Sequence, residues 1–89
     1  MRVKLVRPFR DAVGQPQVEF DSPGRDLVGA VRHLAGLYPG LQEHLFEGGE
    51  LSRYVNIYVN AQPVPVDEAS KVTLAEGDEL LFLLPLTGG

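Results

Sequence analysis

The amino-acid sequence predicts an α+β domain in which a mixed β-sheet carries one main helix on a single face. Three observations lead there. Apolar residues alternate with polar ones near both ends of the chain, they fall at helical spacing between Leu27 and Tyr38, and Gly or Pro punctuates the stretches between. The chain has 89 residues, 44% of them hydrophobic, which suits one core.

Residues Arg2 to Val6 alternate, with Val3 and Leu5 on one face and Arg2 and Lys4 on the other, the period of a half-buried strand that Pro8 ends. A turn-prone stretch around Gly14-Gln15-Pro16 follows, and Val18 and Phe20 then alternate with Gln17, Glu19 and Asp21 as a returning strand. Leu27, Val31, Leu34 and Tyr38 share one side of a helix whose free amide groups Asp26 is placed to cap. Pro39 disfavours helical backbone for the residue before it, so the helix stops near Tyr38, and Leu41 to Phe46 has room for one more turn. After Gly48-Gly49, the stretch Tyr54 to Asn60 reads as a strand through Val55, Ile57 and Val59. Val64-Pro65-Val66 is a short edge strand at best, because Pro65 has no N–H to donate. Gly77-Asp78 turns the chain into Glu79 to Leu84, whose near-continuous apolar sequence belongs in the centre of the sheet.

Composition excludes several classes of function. No cysteine is present, so a disulfide framework, a thiolate metal site and a thiol nucleophile are all ruled out. Eight Lys and Arg against 12 Asp and Glu give a net charge of −4, the wrong sign for a chain that neutralises phosphates along a nucleic acid. The basic N-terminal sector of Arg2, Lys4, Arg7 and Arg10 is a solvated strand face, with no aromatic RNA-binding signature beside it. The longest apolar run, Leu80 to Leu86, is far below the roughly 18 residues of a membrane span. The same cationic residues interrupt any signal-peptide core, and a cytoplasmic location without membrane contact is expected. His33 and His44 lack an evident third ligand and read as surface histidines, and no nucleophile elbow accompanies the Ser and Asp residues. Neither a metal site nor a catalytic residue is expected, since so short a chain has little interior for an enclosed substrate pocket.

The element order strand, strand, helix, strand, short strand, strand is that of the ubiquitin-like β-grasp fold, in which the first and last strands run parallel mid-sheet. Directly after the last strand stand Pro85, Leu86, Thr87, Gly88 and Gly89. With the helix ending Leu37-Tyr38-Pro39-Gly40-Leu41 and the Gly77-Asp78 turn, this tail resembles that of the ubiquitin-like sulfur carriers, the group of the molybdopterin synthase small subunit and the thiamine sulfur carrier. The stretch Arg53-Tyr54-Val55-Asn56-Ile57-Tyr58-Val59-Asn60 looks closer to the carrier that supplies sulfur for cysteine synthesis. Residues 1–84 are then the β-grasp domain and residues 85–89 a flexible, extended reactive tail.

The resemblance implies that an adenylating enzyme of the ubiquitin-activating type joins AMP to the carboxylate of Gly89. A sulfur-donor protein then converts it to a thiocarboxylate. The acceptor enzyme would be a cysteine synthase or, in the alternative reading as a synthase small subunit, the large subunit of molybdopterin synthase. A third reading is a protein modifier joined through Gly89 to lysine amines. ATP and magnesium belong to the activating partner in each case, because this chain has no phosphate loop and no convincing metal-ligand spacing. Glycines suit such a tail because a Cβ would crowd a narrow channel, and five extended residues reach about 17 Å.

Strand alternation adds a candidate surface. If Leu80, Phe82 and Leu84 face the helix, Leu81 and Leu83 face the opposite side, where a single helix cannot cover them. They are candidate partner-docking residues, and Tyr54 and Tyr58 join them if their strand adjoins the same face.

Overall fold

A computed structural model describes residues 1–22 and 24–84, so the expectations for Pro85, Leu86, Thr87, Gly88 and Gly89 lie outside the described residues. Strand β1 (Arg2–Leu5) leads into a short helix, α1 (Phe9–Val13), and returns as β2 (Gln17–Glu19). The main helix α2 (Leu27–Leu37) is followed by a 3-10 turn (Pro39–Leu41), a single-turn helix α3 (Gln42–Leu45) and a small hairpin of β3 (Phe46–Glu47) and β4 (Glu50–Leu51). Strands β5 (Asn56–Val59) and β6 (Gln62–Val64), a 3-10 segment (Val66–Lys71) and β7 (Glu79–Leu83) complete the order.

The main sheet has the strand order β2-β1-β7-β5-β6. Strand β7 runs parallel to β1 and antiparallel to β5, which puts the most apolar strand at the centre as predicted. Its Leu80 and Phe82 are fully buried with Val3, Leu5, Ile57 and the helical Leu27, Val31 and Leu34. Each such side chain contributes about 1.5–3 kcal/mol when taken from water. Asp26 caps α2 as its spacing predicts, accepting from the Gly29 N–H at 2.8 Å. A backbone bond from Leu27 N–H to Val72 C=O at 3.0 Å and one from Leu74 N–H to Arg25 C=O at 2.6 Å fasten the helix start to the segment before β7.

The structure departs from these expectations in five places. The stretch after Pro8 holds a helix as well as a turn, because Phe9 inserts fully into the core and stacks edge-on against Phe82 at 5.8 Å. The strand expected from Tyr54 begins at Asn56, and the edge strand lies at Gln62–Val64, so Pro63 rather than Pro65 is its proline. Leu84 lies beyond β7 and is 37% exposed, so it does not continue the buried row of Leu80 and Phe82. The hairpin after α3 was not foreseen: Gly48 and Gly49 take φ of 62° and 85°, the left-handed pair a two-residue turn demands. Arg32 holds that hairpin to α2 by donating to Gly49 C=O at 2.7 Å while lying 4.9 Å over the Phe46 ring.

Candidate functional site

The sheet face away from α2 is organised by β7. Since side chains alternate, burying Leu80 and Phe82 turns Glu79, Leu81 and Leu83 outward, and both leucines are half-buried there. The strand registers align Lys4, Leu81, Tyr58 and Pro63 in one row across four strands, with Leu83 opposite Asn56 in the next. Val6, the residue after β1, is 39% exposed. The result is a small apolar strip alongside the end of β7 from which residues 85–89 depart.

The start of β7 is fixed by a polar clamp. Asn60 and Ala61 form the turn between β5 and β6 with φ of 50° and 68°. The Asn60 side chain donates to the Asp78 carboxylate at 2.9 Å and accepts from the Glu79 N–H at 3.0 Å. Asp78 also accepts from the Ala75 N–H at 2.7 Å, and these two bonds, the one from Ala75 first, hold its carboxyl below the ordinary carboxylate range. Two turns from distant parts of the chain thereby set the register of the strand that feeds the tail.

Charges at this end of the face are largely self-neutralised. Glu79 lies 3.4 Å from Lys4 and 3.9 Å from Arg2, and Arg2 also meets Glu19 at 3.5 Å. Arg7 lies 3.8 Å from Asp11. Three members of the basic N-terminal sector are therefore matched by carboxylates. At such exposure each pair contributes at most about 1 kcal/mol, so the ladder shapes local charge more than it stabilises the fold.

Of the candidate residues, Leu81, Leu83 and Tyr58 share the outer face, whereas Tyr54 does not join their row. It sits in the turn before β5, 68% exposed, beside a recess lined by Glu47, Glu50, Leu51 and Arg53. His44 is half-buried with its ring edge-on to Phe9 at 5.8 Å, so it is a packing residue rather than a solvated one, and His33 is likewise half-buried. Val6 and Pro63 were missed. Val6 continues the alternation of Arg2 and Lys4, the one signal that could have pointed to it. Among the described residues no group of three or more His, Cys, Asp or Glu could hold a metal ion, and no helix is long and apolar enough to cross a membrane.

A five-stranded mixed sheet with its first and last strands parallel at the centre and one main helix across a face defines a ubiquitin-like β-grasp protein. Comparison with known proteins agrees with this fold and gives the family. The ThiS family model matches residues 3–89. Small archaeal modifier protein 3 of Haloferax volcanii is 30% identical over 90 residues, covering 100% of this chain and 98% of its own. The sulfur carrier protein CysO of Mycobacterium tuberculosis is 36% identical over 89 residues, 96% of this chain and 90% of its own. The crystal structure of SAMP1 from Haloferax volcanii superposes with a TM-score of 0.84 at 30% identity, covering 99% of this chain and 97% of that one. The chain belongs to the ThiS family of ubiquitin-like sulfur carriers. Its relatives are named as small carriers and modifiers, and the chain groups with them rather than with catalysts.

Proposed function

We propose that this protein carries sulfur as a C-terminal thiocarboxylate on Gly89 and delivers it to biosynthesis, with cysteine as the favoured destination. The observation that carries the reading is the family match, which runs through Gly88 to Gly89 itself. The chemistry explains why partners are needed. A carboxylate resists nucleophiles because it is already anionic and has no good leaving group. Its oxygen attacks the α-phosphate of ATP, with pyrophosphate departing, to give an acyl adenylate. Sulfide delivered by a donor protein then attacks the carbonyl carbon and displaces AMP to give the thiocarboxylate; a persulfide donor would give an acyl disulfide that a second thiol cleaves to the same product. The carbonyl carbon keeps its oxidation level throughout. ATP and magnesium stay with the activating enzyme in this reading, and the chain supplies the carboxylate and a docking face, for which Leu81, Leu83 and Tyr58 are the candidates.

The cysteine branch is supported by the 36% identity to CysO, a sulfur carrier by name. A second reading, conjugation to lysine amines of target proteins, is favoured by the 30% identity to a protein named as a modifier. Both readings require an activated Gly89 and differ in what attacks it. Intact mass of the protein isolated from its own host separates them: exchange of one oxygen for sulfur marks the carrier, and isopeptide-linked adducts mark the modifier. Stable copurification with a larger synthase subunit would point instead to the pterin branch. A free carboxylate alone, with neither sulfur nor adducts even when activating enzyme and sulfur donor are supplied, would overturn the proposal.

A further inference from the structure

The two edges of the main sheet are unequal. In the β1–β2 pair, the Met1 terminal ammonium donates to Phe20 C=O and the Phe20 N–H donates to Met1 C=O, both at 2.9 Å, and the Leu5 N–H donates to Pro16 C=O at 2.8 Å. Antiparallel pairing alternates, so the intervening Gln17 and Glu19 direct their N–H and C=O groups away from β1, toward the outside of the sheet. Both residues are exposed. At the opposite edge the two-residue turn makes Val59 and Gln62 the closing bonded pair, which leaves Pro63 as the outward-facing residue of β6. Proline has no N–H to offer, and that edge is blocked in the manner of a protected strand.

The open edge is flanked by acid. A recess of about 440 Å³ at its Phe20 end is lined by three carboxylates, Glu19, Asp21 and Glu76, against two cations, Arg2 and the terminal ammonium of Met1. The carboxylates outnumber the cations, and Arg2 is also shared with Glu79 of the central strand, so the recess keeps a small excess of negative charge. A second copy of this chain, also at −4, would bring like charge to it. A cationic side chain fits better.

We propose that the β2 edge is a docking strip for an extended, basic segment of a partner protein, which adds a sixth strand at Gln17 and Glu19 and sets a Lys or Arg into the acidic recess. Backbone bonds would supply the attachment and the recess the selectivity. This goes beyond sulfur carriage. Glu19 is level with Arg2 and Glu79, the first residue of β7, so the recess lies about 13 Å along the strand direction from Leu83. A partner held there leaves the tail end of the sheet uncovered, and one molecule can be held at its edge while its tail is in an enzyme.

The test uses the isotope-labelled full chain and a blocked peptide of alternating Thr and Val ending in two Lys, with a twin ending in two Glu. The Lys peptide should shift the Gln17 and Glu19 amide signals and slow their hydrogen exchange, leaving Gln62 and Val64 unmoved. It should bind at least tenfold more tightly than the Glu twin. Gln17→Pro removes one outward donor without touching the bonds to β1 and should weaken binding at least tenfold. Should that variant not fold, the pair Asp21→Lys and Glu76→Lys serves instead and should reverse the peptide preference. Equal binding of both peptides, or no response at Gln17 and Glu19 at saturating peptide, overturns the proposal. So does concentration-dependent protection of the same amides without peptide, which would assign the edge to a second copy.

Discussion

Single residues around the start of β7 show how side chains set the register of the central strand. Asp78 accepts from Ala75 and Asn60, and both bonds favour its charged form. Its folded pKa therefore lies below its unfolded value, so its contribution is present above the unfolded carboxylate range and is lost as pH falls through the folded pKa. Asp78→Ala should cost about 1 kcal/mol near neutral pH. The gap in Tm between the two proteins should narrow as pH drops below about 4, followed by thermal melts across pH. A gap unchanged down to strongly acidic pH would mean that the carboxylate charge plays no part. Ala61 supplies the opposite case, an L side chain held at a φ of 68° where a two-residue hairpin turn prefers Asn-Gly. Ala61→Gly removes the strain and should stabilise by about 0.5–1 kcal/mol, seen as a rise in Tm of roughly 2–6 °C. A lower Tm would show that the added freedom of the unfolded chain outweighs the relief.

At the scale of the element, β7 carries two faces with different tasks, and substitution separates them. Changing Leu80 and Phe82 together to Asp buries two unpaired charges at several kcal/mol each, enough to unfold a domain of ordinary stability. The same pair of changes at Leu81 and Leu83 meets solvent and, at position 81, Lys4 in the adjoining strand. That variant should keep its circular dichroism spectrum and lose capture by the activating or acceptor enzyme, because a charged strip replaces an apolar one. Loss of fold would make these leucines core, and unimpaired capture would place docking elsewhere. The phase of β7 was legible because alternation survives in an apolar strand once one partner face is known, and Asp26 was legible because a cap acts within three residues of itself. Helix α1 was not, since Phe9, Ala12 and Val13 offer one turn of apolar spacing among Arg7, Arg10 and Asp11, too little for a period to emerge. Tyr54 misled for a related reason: an aromatic residue two positions before β5 looks like a strand former, and only tertiary packing ends the ladder at Asn56.

For the molecule as a whole, the radius of gyration is 11.9 Å, close to the roughly 12 Å expected of a fully compact chain of this length. Among the described residues the core draws on side chains from Val3 to Phe82. In the proposed reading, folding and chemistry rest on separate parts of the sequence, with the domain as the handle and Gly89 as the cargo point. Deleting Gly89, or adding one residue after it, should leave the thermal midpoint unchanged because every residue of the described core is kept. Either change should abolish acyl-adenylate formation, read as pyrophosphate exchange with the activating enzyme, and with it the thiocarboxylate in the intact mass. The extended chain is the more telling of the two, for it keeps a terminal carboxylate and a full Gly-Gly pair but moves the carboxylate one residue further along. Activity retained after extension would mean that the partner reads a tail of any length, and Gly89 would lose its place as the reaction point.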